Sequence, residues 1–255
     1  MRVLVFGAGG RMGATVCEAV AGDPDLELVA GIDPGAAGRR DATDSIVIEA
    51  STDTVDAAVV DVAIDFTVAA AARDNIAWCA ANGVHAIVGT SGLDPDDFER
   101  CRAEFTASNC LIAPNFAIGA VLMMRFAEIA APFFPTAEVI ELHHDNKVDA
   151  PSGTAMATVR KMAEASDDWA PDPTRDEVLP GARGGKGTAQ IPVHSVRLRG
   201  LVAHQEVLLG TAGETLTIRH DSLDRVSFMP GVLLAAKTIA DHPGVTIGLD
   251  AYLHL

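Results

Sequence analysis

The chain has 255 residues, 49% of them apolar, enough to bury a full core in one large or two modest domains. Its formal net charge of -16 argues against nucleic acid or an anionic membrane as a partner, because phosphate binding needs a basic surface. An anionic substrate therefore requires a local basic pocket. Glycine, at 23 residues, against only 5% aromatics suggests tight backbone turns in an Ala/Val-rich α/β interior. No apolar run reaches the roughly 18 residues of a membrane span, and the first residues lack a charged, cleavable leader, so a cytoplasmic protein is expected. Cys17, Cys79, Cys101 and Cys110 show no C-x-x-C pairing and lie in or beside apolar segments. They are expected as buried free thiols, not as disulfides or metal ligands, and no metal site is expected.

Residues 2–6 (RVLVF) form a short apolar strand that enters Gly7-Ala8-Gly9-Gly10-Arg11-Met12-Gly13. A helix over 14–21 follows, then a second strand over 26–32 that ends at Asp33. Strand, glycine turn, helix, strand and an acidic residue about 20 positions beyond the last glycine match a dinucleotide-binding βαβ unit. The glycines let the backbone approach a pyrophosphate, and the helix N-terminus supplies N–H donors and partial positive charge. The spacing is not the usual G-x-G-x-x-G, since Met occupies position 12 and the third glycine falls at 13. The context carries the reading, ahead of a tight strand-to-helix turn that binds nothing.

Residues 35–61 read as a variable connection in which only 46–50 resembles a strand. Strands over 62–66, 84–88 and 110–113 then alternate with helices over 68–81 and 95–107, which predicts a parallel, doubly wound sheet. Gly89-Thr90-Ser91 and Ala113-Pro114-Asn115-Phe116 lie at strand ends, where open α/β sheets hold ligands. Taken singly, both also read as ordinary turns.

Residues 118–134 are a long apolar helix. From 139 to 158 an apolar strand runs into His143, His144 and Lys147, and Ser152-Gly153-Thr154 opens an Ala-rich helix. Two proton-transfer groups, a cation and a helix N-terminus stand close together in the chain, a place to hold an anion and move a proton. Consecutive strand residues point to opposite faces, so the pattern leaves open which histidine faces a pocket. Ser152 also reads simply as the cap of a helix over 154–165. Residues 166–187 are a polar surface excursion. Strands over 191–199, 206–210 and 215–221 suit a mixed or antiparallel sheet, and a helix over 228–240 with a strand over 245–249 returns to the α/β style. The remaining histidines, and His220-Asp221-Ser222, carry no catalytic reading.

The segment 141–155, ELHHDNKVDAPSGTA, resembles the active-site signature of the bacterial dihydrodipicolinate reductases, also called 4-hydroxy-tetrahydrodipicolinate reductases, of the diaminopimelate and lysine pathway. VFGAGGRMG at 5–13, IDFT at 64–67, VGTSG at 88–92 and APNFAIG at 113–119 extend the resemblance over most of the chain, in order. It implies α/β architecture: a Rossmann-like doubly wound parallel sheet domain plus a central α+β domain whose sheet builds a homotetramer. The expected division is 1–116 with 226–255 for the dinucleotide, and 117–225 for substrate and tetramer contacts. The implied reaction is reduction of a cyclic unsaturated dicarboxylate to tetrahydrodipicolinate by NADH or NADPH. By the same resemblance His143 is the proton donor or acceptor and Lys147 a second donor, and His144, Lys147, Ser152, Gly153 and Thr154 contact substrate. Gly7, Ala8, Gly9, Gly10, Arg11, Met12, Asp33, Gly89, Thr90, Ser91, Ala113, Pro114, Asn115 and Phe116 are implied around the cofactor. Ser91 stands where many members have a second Thr, and Asp145-Asn146 where some carry basic residues. Two other readings differ in class: a sensor that binds nucleotide and metabolite without turnover, and a semialdehyde dehydrogenase. The second needs a cysteine nucleophile at a strand-to-loop junction, and Cys110 instead begins its strand.

Overall fold

The computed structural model describes residues 1–255 and divides into two compact units, Met1–Ile118 with Phe228–Leu255, and Gly119–Ser227. In the first unit the chain runs β1 (Arg2–Phe6), α1 (Arg11–Gly22), β2 (Glu27–Ile32), β3 (Val62–Asp65), α2 (Ala69–Asn82), β4 (His85–Val88), α3 (Pro95–Glu104) and β5 (Cys110–Ile112). The second unit takes α4 (Ile118–Ala130), β6 (Thr136–His143), α5 (Gly153–Ala165), β7 (Gly185–Lys186), β8 (Pro192–Arg197), β9 (Ala203–Thr211) and β10 (Glu214–Ser222). The chain then returns to the first unit as α6 (Met229–Thr238) and β11 (Val245–Ile247). No helix is long and apolar enough to cross a membrane.

The first unit holds a six-stranded parallel sheet in the order β11-β5-β4-β3-β1-β2. After β2 the chain crosses to the other side of β1 to lay down β3, so the order reverses between β1 and β3, where doubly wound sheets open a crevice. The central strands are apolar on both faces: Leu4, Phe6, Ile64 and Ile87 are each no more than 1% exposed. Full burial of a side chain of this size contributes about 1.5–3 kcal/mol, which is why short strands suffice here.

Local chemistry sets the element ends. Helix α1 starts at Arg11, earlier than the apolar pattern predicts, because extended Gly10 serves as its N-cap without a side chain. Helix α2 stops at Gly83, whose left-handed φ of +68° closes the last turn. Helix α3 opens with a capping box between Asp94 and Asp97 plus Pro95, and ends at Glu104, short of the predicted 107, where buried Phe105 leaves helical geometry. The connection over 35–61 has no named strand, and its internal order comes from one side chain and two bridges. The buried Asp41 carboxylate accepts from the backbone N–H groups of Thr43, Ser45 and Ile46, and isolated bridges join Ile32 to Glu49 and Arg40 to Val47.

The second unit holds a five-stranded mixed sheet in the order β10-β9-β6-β8-β7, with β6 parallel to β8 and antiparallel to β9. Strand β9 begins at Ala203, ahead of the predicted 206, because buried His204 and Gln205 find partners: His204 Nδ1 lies 2.6 Å from Asp221 Oδ1, and Gln205 Nε2 donates to Thr158 Oγ1 at 2.7 Å. Val139, Val207 and Leu209 point toward α5 and are buried, whereas Ile140, Leu142, Val196 and Leu208, on the opposite face, stay partly exposed.

Candidate active site

In the first unit the loop after β1 is shaped by close backbone contacts. Gly7 takes φ +75° and donates its N–H to the Ile32 carbonyl at 2.7 Å, and Gly10 N–H bonds the Gly7 carbonyl at 2.9 Å. A Cβ on Gly13 would sit 1.9 Å from the Gly7 carbonyl oxygen, and one on Gly9 2.2 Å from the Ala36 methyl. Only glycine lets α1 start this tightly against the loop, and α1 begins with no side-chain cap and no acidic residue in its first turn. Such an N-terminus suits a pyrophosphate. Asp33 follows β2, and its carboxylate accepts from Gly35 N–H at 2.9 Å and from Gly9 N–H at 3.1 Å. It both shapes its own turn and ties down the glycine loop. Arg11, Arg39 and Arg40 are all exposed, and Arg40 pairs with Asp44 at 3.2 Å on the surface.

The strand ends predicted from IDFT, VGTSG and APNF converge in the same unit. Met12, Phe66, Gly89, Pro114, Asn115, Phe116 and Phe228 line a cavity of about 200 Å³. A Cβ on Gly89 would fall 2.1 Å from the Phe66 ring, and that ring meets Phe116 edge-on at 5.7 Å between centroids. Beneath them lies Asp65, 3% exposed, a residue the sequence reading passed over. It accepts from Thr67 N–H and Thr67 Oγ1, both at 2.7 Å, from Thr90 Oγ1 at 2.8 Å and from Asn75 Nδ2 at 2.7 Å. One carboxylate thus locks the loops after β3 and β4 together and commits the Thr90 hydroxyl hydrogen inward. Ser91 is exposed, and Ala113 is buried at the end of β5. The tight glycine contacts, the uncapped helix start and the adjoining cavity fit a dinucleotide.

In the second unit the strand alternation of β6 places Val139, Glu141 and His143 on one face. Glu141 is fully buried, and its carboxylate lies 2.5 Å from His143 Nδ1. Arg197, opposite His143 on β8, grips the same carboxylate with two nitrogens at 2.8 and 2.9 Å and donates to the Asp149 carbonyl at 2.6 Å. Ser152 N–H completes the cluster at 3.3 Å from Glu141 Oε1. Burial alone would raise the Glu141 carboxyl, but hydrogen bonds from Arg197, Ser195 and His143 outweigh it and hold the group below its usual range, ionised. Burial pushes His143 below the usual imidazole value, with Lys147 and Arg197 adding to the fall and Glu141 opposing it.

Between strand and helix, Lys147 is partly buried and pairs with both Asp149 oxygens at 2.8 and 2.9 Å. The Ala150–Pro151 peptide is cis. Ser152 Oγ caps α5 by accepting from Ala155 N–H at 3.2 Å, as the plainer reading expected, and the first turn of α5 contains no acidic residue. Gly153 is exposed, with nothing within 4 Å of where a Cβ would stand, and His144 is partly exposed beyond the end of β6. His143, Lys147 and the start of α5 therefore belong to one locality of this unit. Glu141 and Arg197 were missed. A glutamate in the buried phase of an apolar strand was a signal for the first, while the second is reachable only through the β6–β8 pairing.

The chain matches the family model for "Dihydrodipicolinate reductase, N-terminus" over residues 1–116 and that for "Dihydrodipicolinate reductase, C-terminus" over residues 119–253. It is 49% identical over 262 residues to the 4-hydroxy-tetrahydrodipicolinate reductase of Cutibacterium acnes, covering 100% of this chain and 99% of that one. To the reductase of the same name from Mycobacterium marinum it is 51% identical over 259 residues, with both chains fully covered. Among solved structures it is similar to the dipicolinate-bound dihydrodipicolinate reductase from Paenisporosarcina sp. TG-14, at 37% identity and a TM-score of 0.86, with 98% of each chain covered. These likenesses give no support to a non-catalytic sensor on the same fold. With both halves matched, the chain belongs to the dihydrodipicolinate reductase family, an oxidoreductase whose Rossmann-like unit implies a pyridine nucleotide cofactor.

Proposed function

We propose that this chain reduces 4-hydroxy-tetrahydrodipicolinate, once it has lost its hydroxyl as water to give the dihydropyridine form, to tetrahydrodipicolinate, with either NADH or NADPH. The observation that carries the reading is the grouping of His143, Lys147 and the Ser152-capped start of α5, in a chain of this family. A bound reduced nicotinamide supplies hydride, and residues Gly7–Met12, Asp33, Gly89–Ser91 and Ala113–Phe116 hold that cofactor. The substrate carboxylate takes the place of Asp149 as partner of Lys147 and receives N–H groups of Gly153 and Thr154, with Ser152 and His144 beside it. His143 then donates a proton to the ring carbon next to the one that received hydride, so that hydrogen adds across one double bond, and Lys147 assists as a second donor.

Pyridine-2,6-dicarboxylate is planar and carries the same two carboxylates, so it is expected to compete with substrate, and its diamide at least about tenfold less well, because charge-assisted bonds are lost. Steady-state inhibition measures both. Equal inhibition by diacid and diamide, or none by the diacid, would leave Ser152 as a helix cap and nothing more.

Cofactor choice rests on Asp33. A carboxylate after β2 accepts from ribose hydroxyls and repels a 2′-phosphate, while exposed Arg11, Arg39 and Arg40, the last only in a surface pair with Asp44, are the cations that favour that phosphate. Both cofactors are expected to work, with NADH at least as good, and Asp33→Ala to shift the ratio of kcat/KM toward NADPH. An unchanged ratio would return Asp33 to its turn with Gly35.

A homotetramer built through the second sheet is also expected. Helix α5 packs on one face, while Ile140, Leu142, Val196 and Leu208 leave the other partly exposed, an apolar surface that a partner sheet would cover. Light scattering at micromolar concentration should give about four times the 26.5 kDa chain mass. A monomer mass rejects the assembly.

A further inference from the structure

We propose that Glu141 and Arg197 are positioning residues for proton transfer: together they hold the His143 ring with Nδ1–H directed at Glu141, leaving Nε2 as the nitrogen that serves the substrate. The inference rests on the reading of His143 as the proton donor, and goes beyond it by assigning the ring nitrogen and the groups that fix it. Glu141 is fully buried, and the other partners of its carboxylate all donate to it, Arg197 and Ser152 N–H at Oε1, Arg197 again at Oε2, and the Ser195 hydroxyl, while His143 Nδ1 lies against Oε2. An ionised carboxylate offers no hydrogen of its own, so the proton on the short His143 contact belongs to Nδ1. The neutral ring is then the Nε2 lone-pair tautomer, ready to take up a proton and deliver it from that side.

Arg197 completes the arrangement. Guanidinium has five donors and no acceptor, so its fork orients the carboxylate and keeps it charged. It also donates to the Val196 carbonyl at 2.8 Å and to the Asp149 carbonyl, and the second of these ties the same ion pair to the segment carrying Lys147. The charged groups acting on the ring are Glu141 from β6, Arg197 from β8 and Lys147 from the following loop, the last paired with Asp149. On β9 uncharged Ala203 lies opposite His143, and the neighbouring His204 is turned to Asp221. The first turn of α5 brings no acidic group.

Glu141→Gln tests the idea sharply. Arg197 donates to both positions, but Ser152 N–H adds a second fixed donor at Oε1, so the single oxygen of the new amide takes that place, and its NH2 faces His143 and drives the ring hydrogen to Nε2, the wrong tautomer for accepting a proton there. We expect kcat to fall about 100- to 10,000-fold, as when a carboxylate orienting a catalytic histidine is made an amide, with KM altered by less than about threefold. The two partners should also move the pH profile in opposite directions. Glu141 favours the charged ring and Arg197 disfavours it, so the alkaline limb of kcat should shift to lower pH in Glu141→Gln and to higher pH in Arg197→Gln. A purely structural ion pair would give no opposed shifts. ¹⁵N NMR of the full wild-type chain supplies a readout that needs no variant to fold: the neutral His143 ring should show a protonated Nδ1 and a bare Nε2. A bare Nδ1, or wild-type kcat and alkaline limb in folded Glu141→Gln, would overturn the proposal. If instead the wild-type chain fails to oxidise the nucleotide with substrate present, the functional reading falls, and the tautomer is still decided by NMR.

Discussion

Replacing His143 with alanine is expected to lower kcat by about 100- to 10,000-fold, the usual contribution of a positioned general acid. The ring is part-buried at the end of β6 and anchored through Nδ1, and alanine removes both the proton donor and its fixed orientation. The loss should fall on kcat, because the substrate charge is assigned to Lys147 and the start of α5. Nucleotide affinity should hardly change, since the residues that fit the dinucleotide belong to the first unit and His143 to the second. Steady-state kinetics with a separate nucleotide titration checks both halves. Near-normal turnover would remove His143 from the reaction and turn attention to His144.

The second large effect is expected at Gly13. Its missing side chain is required by contact, because a Cβ would lie 1.9 Å from the Gly7 carbonyl oxygen and 2.9 Å from Ala8 Cα, both backbone atoms that cannot rotate away. Gly13→Ala must push α1 off the loop, an overpacking cost of about 1–3 kcal/mol or more, and the first-turn N–H groups move with it. Nucleotide Kd should rise at least about tenfold, while binding of pyridine-2,6-dicarboxylate to the second unit stays near wild type. Gly22→Ala is the control on the same helix. Nothing lies within 4 Å of its added methyl, and alanine in place of glycine favours a helix by about 1 kcal/mol. Calorimetric titration of the three proteins decides it: equal nucleotide affinity in Gly13→Ala and Gly22→Ala would detach the glycine loop from the cofactor.

What could be read in the chain depended on whether a residue's reason lay nearby. The glycine loop was legible because β1, the glycines, α1 and β2 are consecutive, and the alternation of short apolar strands with helices gave the doubly wound sheet. His143, Lys147 and Ser152 stood out because their residue types follow one another closely. Glu141 was in view, yet its meaning comes from burial: an acid on the same face as Val139 is tolerable only with a cation beside it, and that cation, Arg197, reaches it through a parallel pairing of distant strands. Asp65 is similar, since its partners Thr90 and Asn75 come from other elements of the first unit. The stretch over 35–61 has no named strand, as expected, but its internal order was not visible in the sequence for another reason. Asp41 replaces a strand ladder with side-chain hydrogen bonds, which leave no periodic trace. In β9, His204 and Gln205 broke the apolar alternation, and the partners that allow their burial lie on β10 and α5.

Turnover by the purified chain is the most direct test of the reductase activity. Freshly prepared 4-hydroxy-tetrahydrodipicolinate is added to enzyme and NADH or NADPH, and loss of reduced-nicotinamide absorbance is followed together with the product mass. One nucleotide oxidised per molecule of tetrahydrodipicolinate formed is the predicted result; tight nucleotide binding without oxidation when substrate is added would contradict it.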